Sequence, residues 1–350
     1  MINKLAILKI GMSGKIRRFS KNMKECLDLA SFSKKIESSL SKKEIQEIEE
    51  SVKSESGLFN SSINYFDKNY PDMLSRISSP PFMLFCDGDI SLLNTPCIAI
   101  VGSRECSDYG EKYTDIIVKI LVEKGYTIVS GLARGIDSHA HKAALKYGGK
   151  TIAVLGWGIA FRKLPIHQLK LLKKISENSL IISEFLPSEQ ASKFTFPVRN
   201  RIISGLSVAT IIMEARKKSG SLITANYAFK QRRDLFVIPG RLDDENSSGC
   251  LSLVHENKAR IISDIEDFSH ELPDMAIRKK EKQNTEPVTN IYLTEYETKI
   301  INFIRINSPC EYDFLLREGG INTGELSRIL LQLQMKGLIK KLPGNKFKVG

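Results

Sequence analysis

The chain has 350 residues, 42% of them hydrophobic, which is enough to bury full cores in two or three domains. Fifty-two basic against forty acidic residues give a net charge of +12, a surplus that suits a polyanionic partner. No run of 18 apolar residues occurs, which excludes a membrane-spanning helix, and six scattered cysteines without paired spacing argue against a disulfide framework or a cysteine-based zinc site and for reduced thiols in the cytoplasm.

Residues 1–64 are rich in Lys, Ser and Glu, with short helical periodicity around Cys26–Phe32 and Glu44–Val52. They are expected to form a small helical region. The apolar run Leu5–Ile10 has no small-residue cleavage site behind it and is not read as a signal peptide. Residues 65–96, punctuated by Pro71, Pro80, Pro81 and Pro96, read as a loop-rich lead-in to the next domain.

From Cys97 the rhythm changes. Short apolar runs (Cys97–Val101, Thr127–Val129, Thr151–Leu155, Ser179–Ile182, Val208–Met213, Leu235–Ile238) alternate with amphipathic stretches at 110–124, 136–147, 165–177 and 220–232. Repeated β-α units with continuous apolar strands predict a parallel sheet covered on both faces. Right-handed crossovers then make residues 65–270 a doubly wound, Rossmann-like α/β domain. This stretch holds most of the basic excess, seven of the twelve surplus charges falling in residues 91–270. Residues 271–290 are polar, charged and proline-flanked, and read as a linker. Beyond it, residues 291–350 carry a capping box at Thr294 and Glu297. Leu326, Ile329, Leu330 and Leu333 follow on one helical face, and GLIKKLPGNKFKV closes the chain as a hairpin. Helices followed by a hairpin predict a winged-helix-like domain.

In a doubly wound sheet the ligand sits beyond the C-terminal ends of the strands. Gly102-Ser103-Arg104 follows the first run, and Gly131, Arg134, Gly135 and Asp137 follow the second. Phe196-Pro197-Val198-Arg199-Asn200-Arg201 comes after the fourth, and Glu214 to Ser221, including Lys217, Ser219 and Gly220, after the fifth. These segments combine glycines that admit close backbone approach, hydroxyls, and cationic side chains, the features that hold phosphate. Asp137 reads as the N-cap of its helix. Four such segments on one rim suggest a phosphate track longer than one nucleotide. Each has a plainer reading. Gly131 and Gly135 could serve a tight turn, Arg199 and Arg201 could pair internally with Glu184 or Glu214, and Phe196 could be core packing rather than a base-stacking surface.

Other motifs fail. Gly156-Trp157-Gly158 lacks the third glycine of a dinucleotide fingerprint, and no acidic residue stands where a ribose would need it. Tyr147 to Thr151 mimics the end of a P-loop but runs from helix to strand, the wrong order. His139 and His141 lie two apart and so point to different faces of a helix, which argues against a metal pair. No nucleophile with an evident base appears. The chain is therefore expected to be no enzyme and to need neither cofactor nor metal.

Taken in order, VGSRECSDYG, SGLARGIDSHAHKAAL, SEFLPS, FPVRNRIISGLS, EARKKSGSLITANYA and LFVIPG resemble the DNA-processing protein A (DprA, or Smf) family. The resemblance runs from about Tyr70 to Asp267, and the C-terminal tail is similar to that of many members. It implies a Rossmann-like domain that binds single-stranded DNA without base preference. It also implies a homodimer that helps load a RecA-type recombinase on incoming strands in natural transformation. By motif, the backbone contacts would fall on Ser103, Arg104, Gly131, Arg134, Gly135, Arg199, Asn200, Arg201, Lys217, Ser219, Gly220 and Ser221, with Phe196 near a base. The chain departs from the family at GWGIAFRKLP, where Arg162 and Lys163 replace an acidic loop. It departs again at Arg232, where a glycine is usual, and at Asn257-Lys258-Ala259, which replaces Gly-Ala. A different class, a nucleotide-processing enzyme that hydrolyses nucleoside monophosphates, would need a PGGxGT stretch near a glutamate; here Lys218-Ser219-Gly220-Ser221 stands in its place.

Overall fold

The computed structural model describes residues 62–271 and 294–349, apart from 307–308, 336–337 and 343. The helical region expected over residues 1–64 and the linker expected over 271–290 thus lie almost wholly outside the described residues. The chain divides into two compact units, residues 1–280 and 281–350.

The first unit opens with β1 (Ser62–Asn64), the short helix α1 (Asp72–Ser75) and β2 (Met83–Gly88). A single 3-10 turn at Ile90–Asn94 leads to β3 (Cys97–Val101), α2 (Asp108–Glu123), β4 (Thr127–Ser130) and α3 (Ile136–Lys146). Next come β5 (Thr151–Val154), α4 (Ile166–Asn178), β6 (Leu180–Ser183) and α5 (Thr195–Leu206). The unit ends with β7 (Ala209–Ile212), α6 (Ser221–Lys230), β8 (Asp234–Val237), α7 (Ser248–His255), β9 (Arg260–Ile261) and α8 (Ile265–Glu271).

These strands form one nine-stranded sheet in the order β1-β2-β6-β5-β4-β3-β7-β8-β9. From β6 to β9 every pairing is parallel, while β1 and β2 join antiparallel at one edge. The α/β, Rossmann-like expectation is met. The lead-in is more ordered than its prolines imply: residues 83–88 form a strand whose Phe85 and Cys86 face Ser183 and Ile182 across the ladder. Its buried run Met83 to Cys86 follows Pro80 and Pro81, and those prolines made the whole segment read as loop. Prolines just before a strand interrupt no ladder bond.

Alternation along the central strands builds two cores. On β3, Cys97, Ala99 and Val101 pack into the core beneath α5, α6 and α7, while Ile98 and Ile100 pack into the one beneath α2, α3 and α8. All five are nearly inaccessible to solvent, as a parallel strand between two helical layers requires. Burial of the larger ones, Ile98, Ile100 and Val101, contributes about 1.5–3 kcal/mol each. The chain winds outward from β3 through β4 and β5 to β6. It then returns to lay β7 on the other side of β3, pairing Ile98 with Ala209 and Val101 with Ile212. The sheet therefore reverses its winding between β3 and β7, and the helices after them diverge. A crevice is left at the carboxyl ends of those two strands.

The second unit contains α9 (Glu295–Ile306), β10 (Cys310–Glu311), α10 (Tyr312–Gly319), α11 (Thr323–Met335), β11 (Ile339–Leu342) and β12 (Lys346–Val349), with sheet order β10-β12-β11. It is a winged-helix domain. The capping box closes as expected: the Glu297 amide donates to Thr294 Oγ1 at 3.2 Å and the Thr294 amide to Glu297 Oε2 at 2.8 Å. Leu326, Ile329, Leu330 and Leu333 are all buried with Ile304, Leu315 and Phe347. Gly344 and Asn345 take positive φ at the hairpin turn, the conformation such two-residue turns need. Among the described residues, no helix is long and apolar enough to cross a membrane.

Candidate functional site

The crevice at the β3/β7 reversal is a cleft of about 690 Å³. Gly102, Ser103 and Arg104 after β3 form one wall, and Arg216, Lys218, Ser219, Gly220 and Ser221 between β7 and α6 form another. A third comes from Lys193, Phe196, Pro197, Arg199 and Asn200 at the start of α5. With Ala133 and Asp137 from the segment after β4, all four expected segments thus meet in one place.

The floor is built by buried polar contacts. Gly135, at φ +79°, is the N-cap of α3, and a Cβ there would lie 2.3 Å from the Ser103 carbonyl oxygen. Only glycine admits that approach, which lets the Ile136 amide donate to the Ser103 carbonyl at 3.1 Å and tie the β3 loop to α3. Asp137 is therefore not the N-cap. It lies in the first turn of α3, buried, and accepts from the Gly131 amide at 3.1 Å. Burial raises its pKa, an effect the nearby Arg199 guanidinium opposes. Ser103 is buried and closes on itself: its hydroxyl donates to the Glu105 carbonyl at 3.0 Å and accepts from the Glu105 amide at 3.2 Å.

The segment Phe196 to Arg201 is helical, not a loop. Pro197 falls in the first turn of α5, where amides have no intrahelical partner and proline costs no hydrogen bond. Two residues apart on this helix, Arg199 and Arg201 point in different directions, and each is buried against its own partners. Arg199 is 3% exposed; its Nη1 donates to the carbonyls of Gly131 (2.8 Å) and Val154, and its Nε to Asn200 Oδ1 at 3.1 Å. It clamps the ends of β4 and β5 together beneath the cleft. Burial depresses its pKa to about 10, against the help of Asp137. Arg201, 7% exposed, pairs with Glu184 at 2.5 and 2.6 Å and donates to the Ser79 and Val198 carbonyls. Burial works against its charge, but Glu184 outweighs it and holds the pKa above the ordinary arginine value. The expected phosphate contact at Arg201 is thereby corrected to an internal ion pair. Glu214 is buried and accepts from the amide of Ser107 at 3.0 Å and from its hydroxyl, and among the described residues it takes no arginine.

What remains open to solvent around the cleft is mostly basic, with Glu105 on the same rim 3.8 Å from Arg216. Arg104 is exposed, with its guanidinium 5.6 Å from the centroid of the Phe196 ring. Lys193, Arg216 and Lys218 are exposed as well, Arg216 donating to Asn246 Oδ1 at 3.0 Å. Lys217 is exposed but does not line the cleft; its neighbours Arg216 and Lys218 do. Ser219 and Ser221 share a hydroxyl hydrogen bond of 2.8 Å at the N-terminus of α6, and Asn200 Nδ2 reaches the Gly220 carbonyl at 3.4 Å. Arg134, also exposed, lies round the corner of Arg104 in a smaller pocket of about 390 Å³, with Gly131, Leu132, Trp157, Leu164 and Phe196. Arg104 and Phe196 line both hollows and form the ridge between them.

Lys193 and Trp157 were not foreseen as site residues. Lys193 lies in the turn just before α5, whose N-cap is Phe194, and reaches the cleft from there. Trp157 stands just beyond the end of β5, after Leu155 and Gly156, and packs edge-to-face on Phe196 at 6.1 Å. The same strand-end reasoning that chose Arg104 could have chosen it.

Comparison with known proteins is consistent with this geometry. Residues 61–273 match the family model for DNA recombination-mediator protein A, and residues 285–345 match that for the DprA winged helix domain. DNA processing protein DprA of Streptococcus pneumoniae is 45% identical over 202 residues, covering 58% of this chain and 71% of that protein. Protein Smf of Synechocystis is 35% identical over 314 residues, covering 80% and 78%. The X-ray structure of the pneumococcal protein superposes with a TM-score of 0.65 at 36% identity, over 78% of this chain and 99% of that one. DNA processing protein A from Helicobacter pylori, described for its single-stranded DNA binding mode, superposes with a TM-score of 0.55 at 33% identity, over 61% and 95%. With its first unit matched along its described length, and its winged helix matched too, the chain belongs to the DNA recombination-mediator protein A family.

Proposed function

We propose that the chain binds single-stranded DNA across the β3/β7 cleft, irrespective of base sequence, and acts as a recombination mediator and not as an enzyme. The observation that carries this reading is the ring of Arg104, Lys193, Arg216 and Lys218 around one cleft, with a phenylalanine ring beside the first of them. Cations spaced along a rim neutralise successive backbone phosphates, and an aromatic face takes whichever base lies next to it. The smaller pocket between Phe196, Trp157 and Leu132 has the size and apolar walls for one unstacked base. The Helicobacter pylori relative's single-stranded DNA binding mode supports the same assignment.

In this reading the protein works as a homodimer in the cytoplasm and delivers DNA taken up as single strands to a RecA-type recombinase. The family's own description as a recombination mediator supports it.

The test is fluorescence anisotropy with labelled oligo-dT of graded length against matched duplex at two salt concentrations. Tight binding that grows with strand length and weakens with salt is expected for the single strand. Equal or stronger binding to duplex, or none at all by folded protein, would overturn the assignment. Recombinase filament growth on strands precoated with single-strand-binding protein tests the mediator step separately.

A further inference from the structure

Behind the Arg104 loop three side chains of unlike chemistry converge. Cys106 lies two residues beyond Arg104, Glu111 in the first turn of α2, and His139 in the first turn of α3. Glu111 Oε1 accepts from the Cys106 thiol at 3.5 Å and lies 2.9 Å from His139 Nε2. All three donor atoms fall within 4.8 Å of one another. Cys106 and His139 are half-buried and Glu111 is exposed, so the cluster is neither sealed in a core nor loose on the surface.

We propose that Cys106, Glu111 and His139 bind a divalent cation of the Zn2+ type. Bond lengths of about 2.3 Å to sulfur and about 2.0–2.2 Å to nitrogen and oxygen place tetrahedral ligands roughly 3.3–3.8 Å apart. The observed separations bracket that edge, so small side-chain rotations bring the trio around an ion. Thiolate, imidazole and carboxylate together select zinc over magnesium or calcium, which prefer all-oxygen shells. On binding, the thiol proton leaves to solvent as the sulfur–metal bond forms, and thiolate and carboxylate neutralise the dication. Glu111 and His139 also face an open cleft between α2 and α3, which leaves the fourth position to water.

The pairing of His139 with Glu111 already joins α2 to α3. A metal adds the loop at Cys106 to that joint and thereby fixes the segment Gly102 to Ser107. His139 and His141 do not share the ion: His141 is wholly buried against Thr151, as their spacing on the helix dictates. The site therefore draws its ligands from three separate elements, and no local sequence motif reveals it.

The test is titration of the full, reduced chain with Co2+, followed by near-ultraviolet absorption from thiolate-to-cobalt charge transfer. One equivalent should saturate the band, and one equivalent of Zn2+ should displace it. Cys106→Ser should abolish the band, His139→Ala should weaken Zn2+ binding at least about tenfold, and the exposed control His167→Ala should leave both unchanged. Absence of the band in the wild-type chain, or its persistence in Cys106→Ser, would overturn the site. If Cys106→Ser does not fold, unaltered Zn2+ affinity in His139→Ala overturns it equally.

Discussion

The Arg201 guanidinium sits among acceptors on every side: both oxygens of Glu184 and the carbonyls of Ser79 and Val198. A charge so placed acts on the fold. Removing it leaves Glu184, itself 15% exposed, without its partner, a change that costs about 3–5 kcal/mol. Arg201→Ala is therefore expected to lower the melting temperature by on the order of 10 °C. The double variant with Glu184→Leu should regain much of the loss, and a thermal melt of both proteins decides it. His141 gives a second case. Thr151 Oγ1 donates its one proton to the Ile128 carbonyl at 2.8 Å, so His141 Nδ1 must be the donor in their 2.7 Å contact. That fixes the neutral tautomer, with a bare Nε2 that has no partner among the described residues. Burial, reinforced by Arg199, pushes the imidazole pKa down to about 3. Since the folded value lies below the unfolded one near 6.5, this stability is complete above about pH 6.5 and is lost as pH falls toward 3. Between pH 6.5 and 4 the loss amounts to about 3 kcal/mol, part of it offset by Asp137, whose raised pKa favours protonation of the folded state. His141→Leu should lose less stability over that range than the wild type, which unfolding midpoints measured from pH 7 to 4 will show. Equal slopes would remove His141 from the account.

At the scale of elements, four helices of the first unit end in the same way. After α2, α3, α6 and α7 a residue at positive φ donates to the carbonyl three back, and the next residue donates five back, as in Arg232 to Phe229 and Arg233 to Ala228. Gly125 and Gly148 fill the left-handed position after α2 and α3, but Arg232 (φ +56°) and Asn257 (φ +53°) fill it after α6 and α7. A side chain there costs about 1–2 kcal/mol, less for asparagine, which tolerates the conformation. Glycine returns part of that gain through its greater unfolded-state freedom. Arg232→Gly is accordingly expected to raise the unfolding free energy by up to about 1 kcal/mol, read as a higher denaturant midpoint with unchanged m-value; a lower midpoint would refute the strain. Both residues stand out in the sequence as departures from the family's glycines, and the structure gives them one physical cause. Other elements were less legible. The six parallel strands from β3 to β8 could be read because each is an uninterrupted apolar run. Helix α5 was hidden by Pro197, which reads as a breaker unless its place in the first turn is known. The strand β2 was hidden by Pro80 and Pro81 for the same reason. In each case the proline sits where it breaks no hydrogen bond, and position cannot be read from composition.

For the molecule as a whole, strand order decides which of its many basic residues act together. The sequence shows where the cations are along the chain, and its strand-end logic selected Arg104, Phe196, Ser219 and Ser221, all of which line the cleft. It could not distinguish Arg201, which is buried on α5, from Lys193, which lies in the turn before that helix and lines the cleft, because that depends on where α5 begins and on what its residues meet. Nor could it show that the segments after β3 and β7, more than a hundred residues apart, become adjacent only because β7 returns to the far side of β3. That reversal brings Arg104 beside Arg216 and Lys218, and Lys193, from the turn before α5, completes four exposed cations at one cleft. Single-stranded DNA held by Z phosphate contacts loses affinity with salt at a log–log slope of about −0.7Z, which for four contacts is roughly −3. The net charge sets no such slope, because counterions are released only where a phosphate meets a cation. Arg104→Ala and Lys193→Ala should each make the slope shallower by about 0.7 and weaken binding to every sequence alike. Lys217→Ala, altering an exposed lysine outside the cleft, should change it little. Anisotropy titrations of the three variants across a series of salt concentrations check this. A slope much steeper than −3, or one that responds to Lys217 as strongly as to Arg104, would mean that the bound strand leaves the cleft and runs over a wider basic surface.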